Sequence, residues 1–125
     1  MTAGRAARGR RSERRGRWAE LLCLWHLRLR GYRVLARRYR AAVGEIDLIV
    51  RRGRVVAAIE VKARGDWTRG AEALLRQQRG RIERALAQFL ARRPDLGDAD
   101  LRFDVMLVAP RRLPHHLRGA WRPGE

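Results

Sequence analysis

Two valine- and isoleucine-rich segments joined by Arg51-Arg52-Gly53 decide the fold of this chain, and together residues 44–62 read GEIDLIVRRGRVVAAIEVK. The pattern predicts β-strands over Glu45–Val50 and Arg54–Lys62. Arg52-Gly53 is the predicted two-residue turn, so the pair is expected to form a β-hairpin.

The acidic residues of this hairpin are expected on one face of the sheet, because side chains alternate between faces along a strand. A two-residue turn at Arg52-Gly53 sets Glu45 opposite Glu60 and Asp47 diagonal to Glu60, with Lys62 on the same side. A three-residue turn would shift the register by one residue and separate these groups. The opposite face of the first strand is predicted to carry Ile46, Leu48 and Val50.

The remaining segments give the order helix, three strands, helix, strand. The helices are predicted at Trp18–Gly31 and Ala71–Arg92, and the other strands at Tyr32–Tyr39 and Leu101–Ala109, with an irregular tail from Pro110. This order predicts the α/β class, with a central mixed sheet flanked by helices.

The first helix is expected to be mostly buried. One apolar stripe with a period of 3.6 residues contains Trp18, Leu21, Leu22, Trp25 and Leu29. Leu24 and Leu27 widen the apolar surface, and Glu20 lies between them on the helix. A carboxylate in that position is unusual and marks Glu20 as a candidate functional residue.

Charge indicates a polyanionic partner. The chain has 125 residues and a net charge of +17, which favours nucleic acid, with an anionic membrane surface as the alternative. Of its 30 basic residues 29 are arginine, and the single lysine is Lys62. A lone amine against that background suggests a task that a guanidinium does not perform.

Domain organisation and location follow from the same composition. Residues 17–122 are expected to form one domain, and residues 1–16 a basic arm that is disordered until it meets nucleic acid; a transit peptide is the alternative. The one cysteine, Cys23, is interpreted as a core residue. No apolar run reaches the roughly 20 residues that span a bilayer, so a cytoplasmic protein without a membrane contact is expected.

The clustered carboxylates are typical of a metal site. Oxygen ligands such as those of Asp47 and Glu60 suit Mg²⁺ or Mn²⁺, and Lys62 beside them can orient a phosphate and an attacking water. The alternative is a set of ordinary cross-strand salt bridges on a solvated face.

Three motifs in order resemble the YraN family: Gly44–Ile49, Ile59–Arg64 and Arg102–Val105. The resemblance runs from about Gly16 to Trp121. It implies a restriction endonuclease-like core, similar to that of archaeal Holliday-junction resolvases, with an active site of the PD-(D/E)xK type.

By position, the resemblance makes Asp47 and Glu60 metal ligands and Lys62 the group that assists the nucleophile. It makes Glu20 an additional acidic residue near the metal, and Glu45 a weaker candidate. The family tends to carry a lysine early in the second helix, near where this chain has Gln77 and Gln78.

Two alternative functions are therefore considered. The first is a metal-dependent endonuclease acting on DNA, with branched or structured DNA as the substrate that the resemblance suggests and a homodimer as the state that resolvase-like activity would need. The second is a non-catalytic basic protein associated with ribosomes or the nucleoid.

Several residues are candidates for contacts outside the carboxylate cluster. Phosphate contacts are assigned to Arg64, Arg76 and Arg79, although the arginines of the second helix also fit a solvated face. Trp67 and Trp121 are candidates for stacking on bases, with anchoring to the domain surface as the alternative. For Asp104 an ion pair with an arginine is favoured over a role behind the metal ligands.

Overall fold

The structure, a computed structural model, describes residues 17–63 and 69–123. The proposed arm of residues 1–16, Arg64 and Trp67 lie outside the described residues. The chain forms, in order, helix α1 at residues 17–29, strands β1 Arg33–Ala41, β2 Gly44–Arg52 and β3 Val55–Ala63, helix α2 Arg69–Ala91, a short 3-10 helix Pro94–Leu96, and strands β4 Asp100–Val108 and β5 His115–Trp121.

The five strands form one mixed sheet in the order β1-β2-β3-β4-β5. Neighbouring strands are antiparallel except β3 and β4, which are parallel and are connected through α2. A parallel pair needs such a crossover, because its strands run in the same direction. The expected α/β class, with a restriction endonuclease-like core and helices on the sheet, is confirmed.

The β2-β3 hairpin turns one residue later than predicted. Arg52 pairs with Val55, so the turn is Gly53-Arg54 rather than Arg52-Gly53. Gly53 takes a φ of +60° at the first turn position, where tight hairpins favour glycine. The change moves the register by two residues, which preserves the faces but sets Asp47, not Glu45, across from Glu60.

Each face of the sheet is covered by one helix. The cluster under α2 contains Ile82, Leu86 and Phe89 of the helix with Ile49, Val56 and Val105 of the strands. The cluster under α1 contains Cys23, Leu24 and Leu27 with Leu48, Val50 and Ile59. Burial raises the pKa of the Cys23 thiol to about 12, with further contributions from Asp47 and Glu20, which fits the predicted role as a core residue.

Helix α1 buries the face opposite to most of its predicted stripe, of which Leu22 alone packs against the core. The exposed fractions are 52% for Trp18, 47% for Leu21, 65% for Trp25 and 82% for Leu29. The prediction that these residues form the inner face is wrong. The helix has two apolar faces, and the sheet takes the one with the smaller side chains, including Ala19 and Cys23, which let the helix approach closely.

The predicted irregular tail contains β5, which pairs with β4 along the sheet edge. Trp121, expected in a loop and available for bases, is buried and stacks on Phe103 with 5.3 Å between ring centroids. The segment has few apolar residues, so its strand forms because β4 provides hydrogen-bonding partners. None of the helices in residues 17–63 and 69–123 is long and apolar enough to cross a membrane.

Candidate metal and nucleic-acid site

The β2-β3 ladder opens at Asp47 and Glu60. The last regular pair is Leu48 with Ile59. Beyond it, the Val61 N–H donates to Asp47 Oδ2 at 2.8 Å, and the Asp47 N–H donates to the Glu60 carboxylate. Two carboxylates therefore take the place of ladder carbonyls, which fixes both side chains between the strands.

In β2 the alternation of side chains between the two faces of the sheet is broken at the same point. Ile46 packs in the α2 cluster with Ile49, whereas Leu48 packs in the α1 cluster, so the prediction that Ile46 and Leu48 share a face is wrong. On the neighbouring strand β1, Arg38 has a φ of +50°, a strained value for a residue other than glycine. Ile46 is therefore the residue that departs from the alternation, and Glu45 and Asp47 both line the cavity beside α2.

A cavity of about 870 Å³ collects the predicted site residues. Glu45, Asp47, Glu60 and Lys62 line it from the sheet, as the face argument predicted. Arg40 from β1 and Gln78 and Arg81 from α2 form other parts of its wall. Glu20 is not among the described residues that line it.

Burial dominates the electrostatics of the two central carboxyls. It raises the pKa of Asp47 to about 6, with Glu20 adding to the rise and the Val61 N–H and Lys62 opposing it. It raises the pKa of Glu60 to about 8, with Asp47 adding to the rise and Lys62 opposing it. Each carboxyl makes ionisation of the other harder, so a cation between them would be strongly favoured.

The donor set fits a hard divalent cation that keeps part of its water shell. Within the described residues no group of three or more His, Cys, Asp or Glu side chains is arranged to hold a metal. Asp47 and Glu60 provide two carboxylates, and Mg²⁺ commonly binds proteins through one or two carboxylates, with waters and phosphate oxygens as its other ligands.

Glu20 lies behind this pair. It is buried and forms an ion pair with Arg38, with 2.9 Å between Oε2 and Nε. Its charge nevertheless acts on Asp47, whose pKa it raises. The structure thus brings Glu20 near the site without placing it in the cavity.

The α2 contribution shows what the sequence prediction missed. Arg81, one of the α2 arginines that also fit a solvated face, and Gln78, where the family tends to carry a lysine nearby, both line the cavity. Their spacing of three residues on one helix face is the signal that could have paired them. Gly44 marks where α2 meets β2, because a Cβ there would lie 2.9 Å from the Arg81 carbonyl oxygen.

The other predicted nucleic-acid residues have different surroundings. Arg76 is exposed on α2. Arg79 lies over the Trp121 ring, 5.4 Å from its centroid, and is half-buried, with a buried Nε atom that has no hydrogen-bond partner. Asp104 is fully buried and pairs with Arg102 at 2.9 Å, as predicted.

Comparison with known proteins gives the chain its family. A protein from Parvibaculum lavamentivorans, named UPF0102 protein, is 56% identical over 96% of this chain and 90% of its own length. UPF0102 proteins from Paramagnetospirillum magneticum and Agrobacterium fabrum are 50% and 45% identical, over 89% and 94% of this chain and 89% and 97% of their own lengths. The model of the uncharacterised protein family UPF0102 matches residues 19–108, and the chain belongs to this family, the YraN family that its motifs resemble.

Proposed function

We propose that this protein is a metal-dependent endonuclease that hydrolyses phosphodiester bonds in DNA. The observation that carries the proposal is the opposition of Asp47 and Glu60 where the β2-β3 ladder opens, with Lys62 in the same cavity. Carboxylates held between central strands have no use in a protein that binds nucleic acid by charge alone.

Asp47 and Glu60 would hold Mg²⁺ or Mn²⁺. When bound, the cation polarises a phosphoryl oxygen and lowers the pKa of a coordinated water. Lys62 shares a strand face with Glu60, so its amine can orient the attacking water or bind a phosphate oxygen. Arg81 and Gln78 can donate hydrogen bonds to the phosphates on either side of the scissile bond.

Glu20 takes a supporting part in this proposal. Because it is buried beside Asp47 and paired with Arg38, it adds negative charge next to the cation without occupying the cavity. It also holds Arg38 where β1 is irregular. Its removal is expected to weaken metal binding less than removal of Asp47.

DNA is the favoured partner, since a net charge of +17 attracts a polyphosphate and the exposed Arg76 lies on the helix that walls the cavity. We assign phosphate contacts to Arg76 and to Arg64, the second of which lies outside the described residues. We also keep Arg79 as a proposed phosphate contact. Its guanidinium would have to leave its position over the Trp121 ring to reach a phosphate.

A second candidate is a non-catalytic nucleic-acid-binding protein that keeps the nuclease fold. The arginine content favours it, since 29 arginines serve electrostatic binding without any chemistry. The two candidates differ in whether the carboxylates matter to what the protein does with DNA.

The test is cleavage of labelled single-stranded, duplex, flap and four-way-junction DNA with Mg²⁺ or Mn²⁺. We expect metal-dependent cutting by the wild type and a loss of at least a hundredfold in Asp47→Ala and Lys62→Arg, the second because charge is kept but the amine is lost. Asp98→Ala removes an exposed carboxylate and is the matched control, expected to cut like the wild type.

DNA binding by the same variants separates the candidates. If no substrate is cut and all variants bind DNA equally, the chain is a basic binding protein. If Asp98→Ala loses as much cutting as Asp47→Ala, the effect is not specific to the cavity and the proposed site is wrong.

A further inference from the structure

A second cavity, of about 160 Å³, lies on the α1 side of the sheet. His26 of α1 lines it, as does Tyr32 of the cluster under α1, whereas α2 lines the first cavity, so the two open on opposite faces. Its basic side chains are three arginines and three histidines: Arg30, Arg52, Arg118, His26, His115 and His116. Within the described part of the chain, no carboxylate lines it.

Two of the arginines lack a compensating charge. Arg30 and Arg118 are exposed, and neither forms an ion pair with a carboxylate of residues 17–63 or 69–123. The pKa of His26 is lowered, first by burial and then by Arg30 and His116. Cations that repel one another in this way are stabilised by an anion placed among them.

Arg52 is held in place before any ligand arrives. Its guanidinium lies over the Tyr32 ring, 4.4 Å from the centroid, and its Nη1 donates to the Arg30 carbonyl oxygen at 3.3 Å. A guanidinium fixed in this way loses little conformational entropy when it binds an oxyanion.

His116 is fixed from behind by Asp104, with 2.7 Å between Nε2 and Oδ2. Asp104 does not neutralise the cavity, because it is fully buried and also accepts hydrogen bonds from Arg102 and from the Gly119 N–H. Burial alone would raise the pKa of Asp104, but these hydrogen bonds lower it, so the carboxylate orients His116 while its charge is met by Arg102.

We propose that this cavity binds a phosphate group. Forked guanidinium donors and histidine nitrogens suit the oxygens of a phosphate monoester. The volume is below the roughly 300 Å³ at which pockets for whole small molecules begin, so the phosphate is enclosed and the group that carries it stays outside. The phosphate belongs either to the end of a nucleic-acid strand or to a small phosphorylated compound. The proposal does not rest on nuclease activity.

In the first experiment the full-length protein is titrated with inorganic phosphate in EDTA at constant ionic strength, and the heat of binding is measured by calorimetry. The wild type is expected to bind saturably at one site. The double variant Arg30→Ala, Arg118→Ala keeps the fold because both side chains are exposed, and its affinity is expected to fall at least tenfold. Melting temperature checks that it is folded.

Two controls locate the effect. Arg92→Ala removes an exposed arginine from the end of α2, and Asp47→Ala alters the first cavity; both are expected to bind phosphate like the wild type. Equal losses in Arg92→Ala and the double variant, or no saturable binding by the wild type, would overturn the proposal.

A pair of oligonucleotides with the same sequence distinguishes the sources of the phosphate. If the wild type prefers the 5′-phosphorylated strand over the 5′-hydroxyl strand severalfold, and the double variant does not, the ligand is a strand end. If inorganic phosphate binds but the two strands bind equally, the ligand is a small phosphorylated compound.

Discussion

At the scale of single residues, Asp47 and Glu60 each accept a backbone N–H from the facing strand, and each is removed from most of its water. Hydrogen bonding does not fully offset burial, since the pKa of both carboxyls is raised. Without a metal, the Asp47 and Glu60 carboxylates therefore destabilise the fold once both have lost their protons. A bound cation would offset the cost of their buried charges.

The free energy of unfolding of the metal-free protein is expected to fall as pH rises. Glu60 has a pKa of about 8 when folded and an ordinary carboxyl value of 4.5 when unfolded, so its contribution is full below pH 4.5 and lost as pH rises through 8. Glu60→Gln cannot ionise, and we expect it to melt several degrees above the wild type at pH 9 in EDTA.

Mg²⁺ should raise the melting temperature of the wild type at pH 9 but have little effect on Glu60→Gln. Glu83→Gln, a neutralised glutamate on α2, should follow the wild type in both respects. A wild-type pH dependence that persists unchanged in Glu60→Gln would show that Glu60 is not the group that titrates.

The sequence predicts functional residues best at positions where few residue types suit the chemistry. Carboxylates in apolar strands and the lone Lys62 pointed to side chains that line one cavity. The sequence could not show that Asp47 rather than Glu45 faces Glu60, because a turn at Arg52-Gly53 and a turn at Gly53-Arg54 both contain two residues and both preserve the faces.

At the scale of elements, the site depends on how closely α2 approaches β2. Gly44 lies against the helix backbone, and a Cβ at this position would lie 2.9 Å from the Arg81 carbonyl oxygen and 3.0 Å from the Arg81 Cβ. Backbone at this contact cannot move aside as a flexible side chain can. Gly44 therefore sets the distance between the carboxylates of β2 and the Arg81 wall of the cavity.

Gly44→Ala is expected to destabilise the protein by about 1–3 kcal/mol, because α2 must move away from β2. Gly80→Ala is the matched control on the same helix, where the nearest atom to a new Cβ is the mobile Arg84 Nη1 at 3.5 Å. It should stabilise by about 0.5–1 kcal/mol, since alanine favours helix. Urea unfolding measures both. Similar changes in the free energy of unfolding for Gly44→Ala and Gly80→Ala would contradict the close approach of α2 to β2.

The elements themselves were predicted best where a clear hydrophobic pattern runs through them, as in β2, β3 and α2. Helix α1 was placed correctly along the chain but turned the wrong way, because it has two apolar faces and periodicity cannot choose between them. Strand β5 was missed because its edge pairing with β4 is a tertiary effect that its own residues hardly encode.

At the scale of the whole molecule, the apolar stripe of Trp18, Leu21, Trp25 and Leu29 faces away from the sheet. We propose that a second copy of this chain covers it, which would give the homodimer expected from the sequence analysis. The four side chains expose on the order of 500 Å² per copy. A symmetric pair would thus bury about 1,000 Å², near the lower limit for a specific interface.

The dimer should form at micromolar concentration and strengthen as salt is added, because screening reduces repulsion between two chains of charge +17. DNA binding should show the opposite salt dependence.

Trp25→Glu is expected to be monomeric in sedimentation velocity, since it places a charge in the centre of the stripe. Ala87→Glu adds the same charge at an exposed α2 position and should leave the dimer intact. A wild type that stays monomeric in high salt at 100-fold higher concentration would contradict the interface, and equal dissociation of both variants would place it elsewhere.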